Sequence, residues 1–390
     1  MKNKNFVADK VERLAPSGIR AFFDLVLGMK DVISLGVGEP DFVTPWNIRE
    51  TGIFSLEQGY TSYTSNKGLY KLRLLIQRSL KQRYGLNYSA DDDILITVGV
   101  SEALDLAVRA ILNPGEEIII PEPCYVSYGP VVELAGGVPV YLPATAKQGF
   151  KMTAAQLERA CTKNTKGIIL NYPSNPTGAT YNKQELEEIS KVCLKHNLVV
   201  ISDEVYGDLT YSGNHVPFPT LKGAQANTLY LNGFSKAYAM TGWRVGYACG
   251  PKQIIAAMTK IHQYTILCAP ILSQMAACEA LQSGKKSLEL MKQEYNRRRD
   301  FMHQGLNDIG LSCTMPQGAF YIFPSIEKSG LSSLDFANRL LKQQKVAVVP
   351  GVAFGKNYDN YVRISYATSY TKLQEAVKCM KVFLDKCLKN

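Results

Sequence analysis

No apolar run in this 390-residue chain approaches the roughly 18 to 20 residues that span a bilayer, which excludes an ordinary transmembrane helix. The opening, MKNKNFVADKVERL, is charged throughout and lacks the apolar core of a secretory signal. The nine cysteines (124, 161, 193, 249, 268, 278, 313, 379 and 387) are odd in number, scattered, and form no CxxC. The four histidines (196, 215, 262 and 303) have no metal-ligand spacing, so no metal is expected, and the cysteines read as free thiols of a reducing cytoplasm. Familiar phosphate signatures are missing as well. Ser283-Gly284-Lys285-Lys286-Ser287 lacks the upstream glycine of a P-loop. Gly36-Val37-Gly38-Glu39-Pro40-Asp41 is broken by a proline and has no third glycine, so it is not a dinucleotide fingerprint. There is no internal repeat, low-complexity tract or flexible linker.

What remains has the composition of a water-soluble globular protein, 46% apolar and 20% charged. Its length suffices for a large core and two domains of unequal size. The formal charge is +10, but the basic residues are dispersed. The single arginine triplet, Arg297-Arg298-Arg299, lies in a long helical pattern rather than in a nucleic-acid-binding module. Neither nucleic acid nor a membrane is expected as a partner; a positive field suits small anionic substrates.

Between about residues 95 and 250, short apolar runs alternate with helical patterns. Ile94–Val98 leads into a helix at Ser101–Leu112, and Ile118–Ile120, Gly167–Leu170, Leu198–Ile201, Leu229–Leu231 and Val245–Ala248 follow. Such runs, bounded by turn signals like Asn113-Pro114-Gly115, read as buried strands of a mostly parallel sheet in an α/β fold. From about 286 the texture changes to a long charged helix (286–308), a strand at Phe320–Phe323, a helix at 334–344, strands at Val346–Val349 and Tyr361–Tyr366, and a final helix at 370–388. The expected division is a large domain at 46–284 and a smaller α+β domain made of 1–45 and 285–390.

In a doubly wound sheet, ligands bind beyond the carboxyl ends of the strands. The first strand is followed by Gly99-Val100-Ser101, a helix start whose N–H groups suit a phosphate, or else an ordinary serine N-cap. Asn175 follows another strand and either shapes a turn or presents its amide to a ligand. Then come Asp203, Glu204 and Tyr206, where a buried carboxylate needs a cationic partner. Lys236 and Arg244 stand eight residues apart among small and aromatic residues. Arg363 lies in the strand of YVRISYA, where alternation alone would turn it to solvent. A phosphate turn, an amide, a carboxylate and a lysine at successive strand ends match pyridoxal phosphate chemistry.

With these residues in view the chain resembles the class I (fold type I) pyridoxal-phosphate aminotransferases along its whole length, and within them the bacterial aspartate, aromatic and PatA-like branch. The resemblance rests on SLGVGEPDF (34–42), SYTSNKG (62–68), NYPSNPTG (171–178), SDEVYGDL (202–209), FSKAYAMTGWRVGY (234–247) and YVRISYA (361–367), in that order. It implies a seven-stranded, mostly parallel sheet between helices and an amino transfer from an L-amino acid (aspartate, aromatic or similar) to 2-oxoglutarate, by a ping-pong aldimine/pyridoxamine mechanism. By the same resemblance Lys236 holds pyridoxal 5′-phosphate and carries protons, Asp203 pairs with the ring nitrogen, and Tyr206 bonds the ring's 3′-oxygen together with Asn175. Tyr125 stacks on the ring; Arg244, Ser101 and the N–H groups of Val100 and Ser101 hold the phosphate; Tyr63 reaches the phosphate of the neighbouring subunit in a homodimer with shared sites. Arg363 grips the substrate α-carboxylate, helped by Asn175 and the backbone near Gly38.

Two departures stand out. Gly233 occupies the place where animal-type aspartate enzymes carry a phosphate-binding hydroxyl, which Ser235 would have to replace. Residues 251–283, where those enzymes find an arginine for the side-chain carboxylate, contain none. A C–S lyase of the same fold uses the same cofactor residues and is the alternative reading. A non-catalytic aminotransferase-like binding module is disfavoured by the presence of Lys236, Asp203 and Arg363.

Overall fold

The apolar runs become strands because each is flanked by turns and covered on both faces. The computed structural model describes residues 6–14, 29 and 31–388. The strands, in chain order, are β1 (Ile33–Ser34), β2 (Ile94–Thr97), β3 (Glu117–Glu122), β4 (Val138–Pro143), β5 (Thr165–Asn171), β6 (Val199–Asp203), β7 (Thr228–Gly233), β8 (Gly246–Cys249), β9 (Tyr321–Ile322), β10 (Val346–Ala347), β11 (Val349–Pro350) and β12 (Val362–Ser365). Seven of them form one sheet in the order β2-β8-β7-β6-β5-β3-β4. Only β8 runs antiparallel to its neighbours, β2 and β7. The order turns back between β3 and β5, and ligand sites in such sheets lie beyond the strands' carboxyl ends.

Alternate residues of one strand feed two separate apolar layers. Ile118 and Ile120 pack with Leu95, Ile169, Ile201, Leu231 and Met258 on one face. Ile119 packs with Ile168, Leu170, Val200, Leu186 and Ile189 on the other. Each such side chain contributes about 1.5–3 kcal/mol on burial, and burial on both faces explains why the strands read as unbroken apolar runs.

The sequence passes over β4. It lies at the sheet edge, is half exposed and contains Pro139 and Pro143, residues tolerated where no further strand needs their N–H.

The C-terminal elements form an antiparallel sheet β11-β12-β9 backed by the helices Lys285–Asp308, Ser333–Gln344 and Tyr370–Cys387. The expected strand Val346–Val349 is two pieces. Val346–Ala347 pairs in parallel with Ile33–Ser34, whereas Val349–Pro350 pairs with β12. The N-terminal segment thus joins the C-terminal elements at residues 33–34; of the expected 1–45 portion, residues 1–5, 15–28 and 30 lie outside those described. Arg363 is a correction to the alternation reading: β12 is buried along its length, and Arg363 is 3% exposed. Among the described residues no helix is long and apolar enough to cross a membrane.

Candidate active site

Beyond the carboxyl ends of β2, β5, β6 and β7 lies a cleft of about 730 Å³, closed on its far side by residues 37–39, Tyr321 and Arg363. Ten residues singled out from the sequence line it: Gly38, Val100, Ser101, Tyr125, Asn175, Asp203, Tyr206, Lys236, Arg244 and Arg363. The eleventh, Tyr63, does not; its side chain is 82% exposed.

After β2 the chain turns at Gly99, whose φ of +74° suits glycine. The helix Gly99–Ile111 starts there, two residues earlier than Ser101. Its N-cap is Val98, so the serine N-cap reading does not hold; Ser101 stands inside the first turn and is exposed. A Cβ at Gly99 would lie 2.8 Å from Nη2 of Arg244, which shows how closely the guanidinium covers the helix start. Arg244 Nη1 also donates to the Thr241 carbonyl at 3.0 Å. The free N–H groups of the first turn, the helix dipole and this guanidinium make a seat for an anion.

The two acids after β6 part company because successive side chains face opposite ways. Glu204 turns away from the cleft and is tied to Ser202 Oγ (2.7 Å), the Phe218 N–H (3.0 Å) and His215 Nε2 (2.5 Å). Asp203 turns into the cleft. Its Oδ2 accepts from the Tyr128 hydroxyl at 2.7 Å and its Oδ1 from the Val205 N–H at 3.3 Å. Burial pushes its carboxyl up to about 6, against those two hydrogen bonds. A buried carboxylate without a cation at hydrogen-bonding distance is poised to receive one.

Lys236 follows β7, and its Nζ donates to the Gly38 carbonyl at 2.6 Å. Burial brings its ammonium down to about 8; Glu39 opposes the shift, while Arg363 and Arg244 add to it. The amine lies 6.0 Å from the Tyr206 ring centroid and 5.9 Å from that of Phe320. Tyr206 shares a hydrogen bond of 2.8 Å with the Tyr321 hydroxyl. Tyr125 packs edge-on against Tyr128 at 5.6 Å.

Arg363 reaches the cleft from β12. Its Nη1 donates to Asn175 Oδ1 at 2.9 Å and its Nη2 to the Gly36 carbonyl at 2.5 Å. The guanidinium lies between the rings of Tyr321 and Phe354, 4.6 and 5.0 Å from their centroids, and its Nε has no partner. Asn175 is held in turn by its own N–H on Asn171 Oδ1 at 3.0 Å.

Sequence reasoning missed Tyr128, Tyr321 and Asn171. Tyr128 had one available signal, its place three residues beyond Tyr125 in PEPCYVSY, and Asn171 opens the quoted NYPSNPTG; Tyr321 had none. The Gly233 departure has a steric cause. A Cβ there would lie 3.0 Å from Val100 Cγ2 and 3.1 Å from the Gly246 Cα, so a hydroxyl-bearing side chain would force the closely approaching β7 and β8 to shift. Ser235 does line the cleft.

Comparison with known proteins agrees with this geometry. The family described as aminotransferase class I and II matches residues 30–379. A Bacillus subtilis (strain 168) protein, YugH, to which aminotransferase activity is itself only provisionally ascribed, is 55% identical over 98% of this chain and 99% of its own. An aspartate aminotransferase of Pyrococcus abyssi is 44% identical over 97% of this chain and 98% of its own. The crystal structure of an aromatic aminotransferase from Pyrococcus horikoshii superposes with a TM-score of 0.90 at 43% identity, covering 94% of this chain and 99% of that one.

Proposed function

Starting from the premise that this chain belongs to the class I and II aminotransferases, we propose that it moves the amino group of an L-amino acid, aspartate or an aromatic one, to 2-oxoglutarate. Aminotransferases of class I depend on pyridoxal phosphate, and the residues present fit that group. Arg244 closes over the helix start so nearly that a Cβ at Gly99 would meet its guanidinium, Asp203 is a buried carboxylate in want of a cation, and Lys236 carries a proton loosely. When bound, the cofactor supplies an electron sink for the carbanion formed at the substrate Cα and stores the amino group between the two half-reactions.

The chain's own residues do the rest. With its ammonium near 8, a useful fraction of Lys236 is the free amine at neutral pH, able to bond the cofactor as a nucleophile and then to move the proton at the substrate Cα. Asp203 would hold the protonated ring nitrogen, and Tyr128 keeps that carboxylate in place. Tyr206 and Asn175 would hold the ring oxygen, and Tyr125 would cover the ring. Arg244 and the N–H groups of Val100 and Ser101 hold the phosphate. Arg363 offers a planar fork to the α-carboxylate, assisted by Asn175 and the backbone at Gly38. Lys236, Arg244 and Arg363 are the cations among the described cleft residues, and each is engaged in these roles.

Trp46, Ile53, Phe54 and Leu56 expose apolar side chains on the helix Trp46–Glu57, and Tyr63 and Tyr264 are exposed too. This face supports a homodimer in which Tyr63 serves the partner's cleft. The two-domain division at 46–284, with 1–45 and 285–390 apart, and a cytoplasmic location that suits nine free cysteines, complete the proposal.

The observation that carries the reading is that a lysine of lowered pKa, a buried carboxylate, an anion seat and a buried arginine face one cleft. Visible spectra of the purified protein, taken while a panel of amino acids is added without keto acid, test it. The absorbance of bound cofactor should change and be restored by 2-oxoglutarate, with the fastest donor naming the substrate, and Lys236→Ala should abolish turnover. An unchanged band with pyruvate and ammonia accumulating would establish the C–S lyase instead.

A further inference from the structure

One buried pair outside these roles touches the phosphate seat from behind. His262, in the helix Lys252–Thr265, is fully buried, and its Nδ1 lies 2.7 Å from Glu102 Oε1. Glu102 stands in the first turn of the helix Gly99–Ile111, and its Oε2 accepts from the Val98 N–H. That peptide opens the Val98–Gly99 turn, which Thr97 Oγ1 also holds by donating to the Gly99 carbonyl at 2.9 Å. The Glu102 contact is the side-chain hydrogen bond that accounts for His262 here, since Nε2 has no partner.

A carboxylate beside a phosphate seat is otherwise unfavourable, because like charges repel. Here each oxygen has a hydrogen bond of its own, one to the backbone turn and one to a helix packed against it. The two residues do not line the cleft, so whatever they do passes through the backbone. We propose that the Glu102–His262 pair is a positioning brace: it fixes the Thr97–Val98 peptide at the entry to the glycine turn, so that the N–H groups of Val100 and Ser101 point at the phosphate. The inference rests on the reading above that the phosphate sits at this helix start.

The test compares binding of pyridoxal 5′-phosphate and of pyridoxal, which lacks the phosphate, to the cofactor-free full-length protein. Glu102→Ala and His262→Leu should each weaken pyridoxal phosphate roughly tenfold or more, the effect of losing a hydrogen bond to a charged group. Their affinity for pyridoxal should stay close to that of wild type, which also reports an intact cleft. Glu102→Gln keeps an acceptor for Val98, and His262→Asn keeps a donor for residue 102, so both should restore most of the phosphate-dependent affinity. Should His262→Leu fail to fold, Glu102→Ala, in the first turn of its helix, decides. Equal loss of both ligands in a folded variant, or loss of neither, overturns the brace. A wild-type protein that binds pyridoxal as tightly as its phosphate overturns instead the phosphate seat on which the brace depends.

Discussion

Replacing Tyr128 by phenylalanine deletes one oxygen atom from a side chain that is 2% exposed, and so isolates one hydrogen bond to Asp203. Burial already carries the Asp203 carboxyl from its ordinary 3.8 to about 6, which amounts to about 3 kcal/mol against the ionised form. A hydrogen bond to an ionised group contributes about 1.5–3 kcal/mol. Its loss should therefore lift the carboxyl by a further ~1 to 2 pH units, to neutrality or above. Because the folded-state value exceeds the unfolded one, this group's contribution to stability is fully present below 3.8 and is lost as pH rises through about 6, or through the higher value in the variant. The ionised carboxylate is the form that can hold a positive ring nitrogen. Binding of pyridoxal phosphate to the cofactor-free protein should thus weaken as pH falls through about 6 in wild type, and ~1 to 2 pH units higher in the variant. The ligand's own ionisations are common to both proteins and cancel in the ratio, and the curves should converge in alkali. Superimposable curves would refute the reasoning.

Arg363→Lys replaces a planar fork, bonded to Asn175 and Gly36, by a point charge, and should raise KM for every donor roughly tenfold or more, with steady-state kinetics as the check. Gly233→Ser should cost about 1–3 kcal/mol of stability in urea unfolding without tightening the cofactor, because the added atoms meet Val100 and Gly246. Burial raises the Glu122 carboxyl to about 7 against the pull of Lys356, so its stabilising effect is present below 4.5 and lost as pH rises through about 7. Glu122→Gln should flatten the fall in melting temperature across that interval. Phe54→Asp places a charge in the exposed apolar face and should halve the mass seen by light scattering, since a desolvated unpaired carboxylate opposes association.

The sheet was legible because a doubly buried strand must be apolar on both faces, and Ile118, Ile119 and Ile120 announce that directly. Strand β4 escaped because an edge strand answers to neither rule, and its prolines read as breakers. Charged residues at the strand ends (Asp203, Lys236, Arg244) were visible as chemistry out of place. Tyr128 and Tyr321 were not, because a tyrosine is ordinary in a core, and only the fold brings its hydroxyl within 2.8 Å of Asp203 or Tyr206. Arg363 misled for a related reason: period-two alternation presumes a strand with one wet face, and β12 is covered on both.

The bond from Arg363 to the Gly36 carbonyl joins residues 327 apart, and β1 pairs with β10, more than 300 residues further on. On a ribosome, the seven-stranded sheet has all its strands once residue 249 has emerged, so the anion seat and Asp203 can form early. The far wall of the cleft has to wait for residues 346–365, while the segment 33–38 hangs without its mate. Such distant pairings close slowly, since the chain entropy of the loop is spent before the contact forms. A newly made chain can therefore form the helix start beside Arg244 before it can bring Arg363 to the cleft, and the far wall closes last.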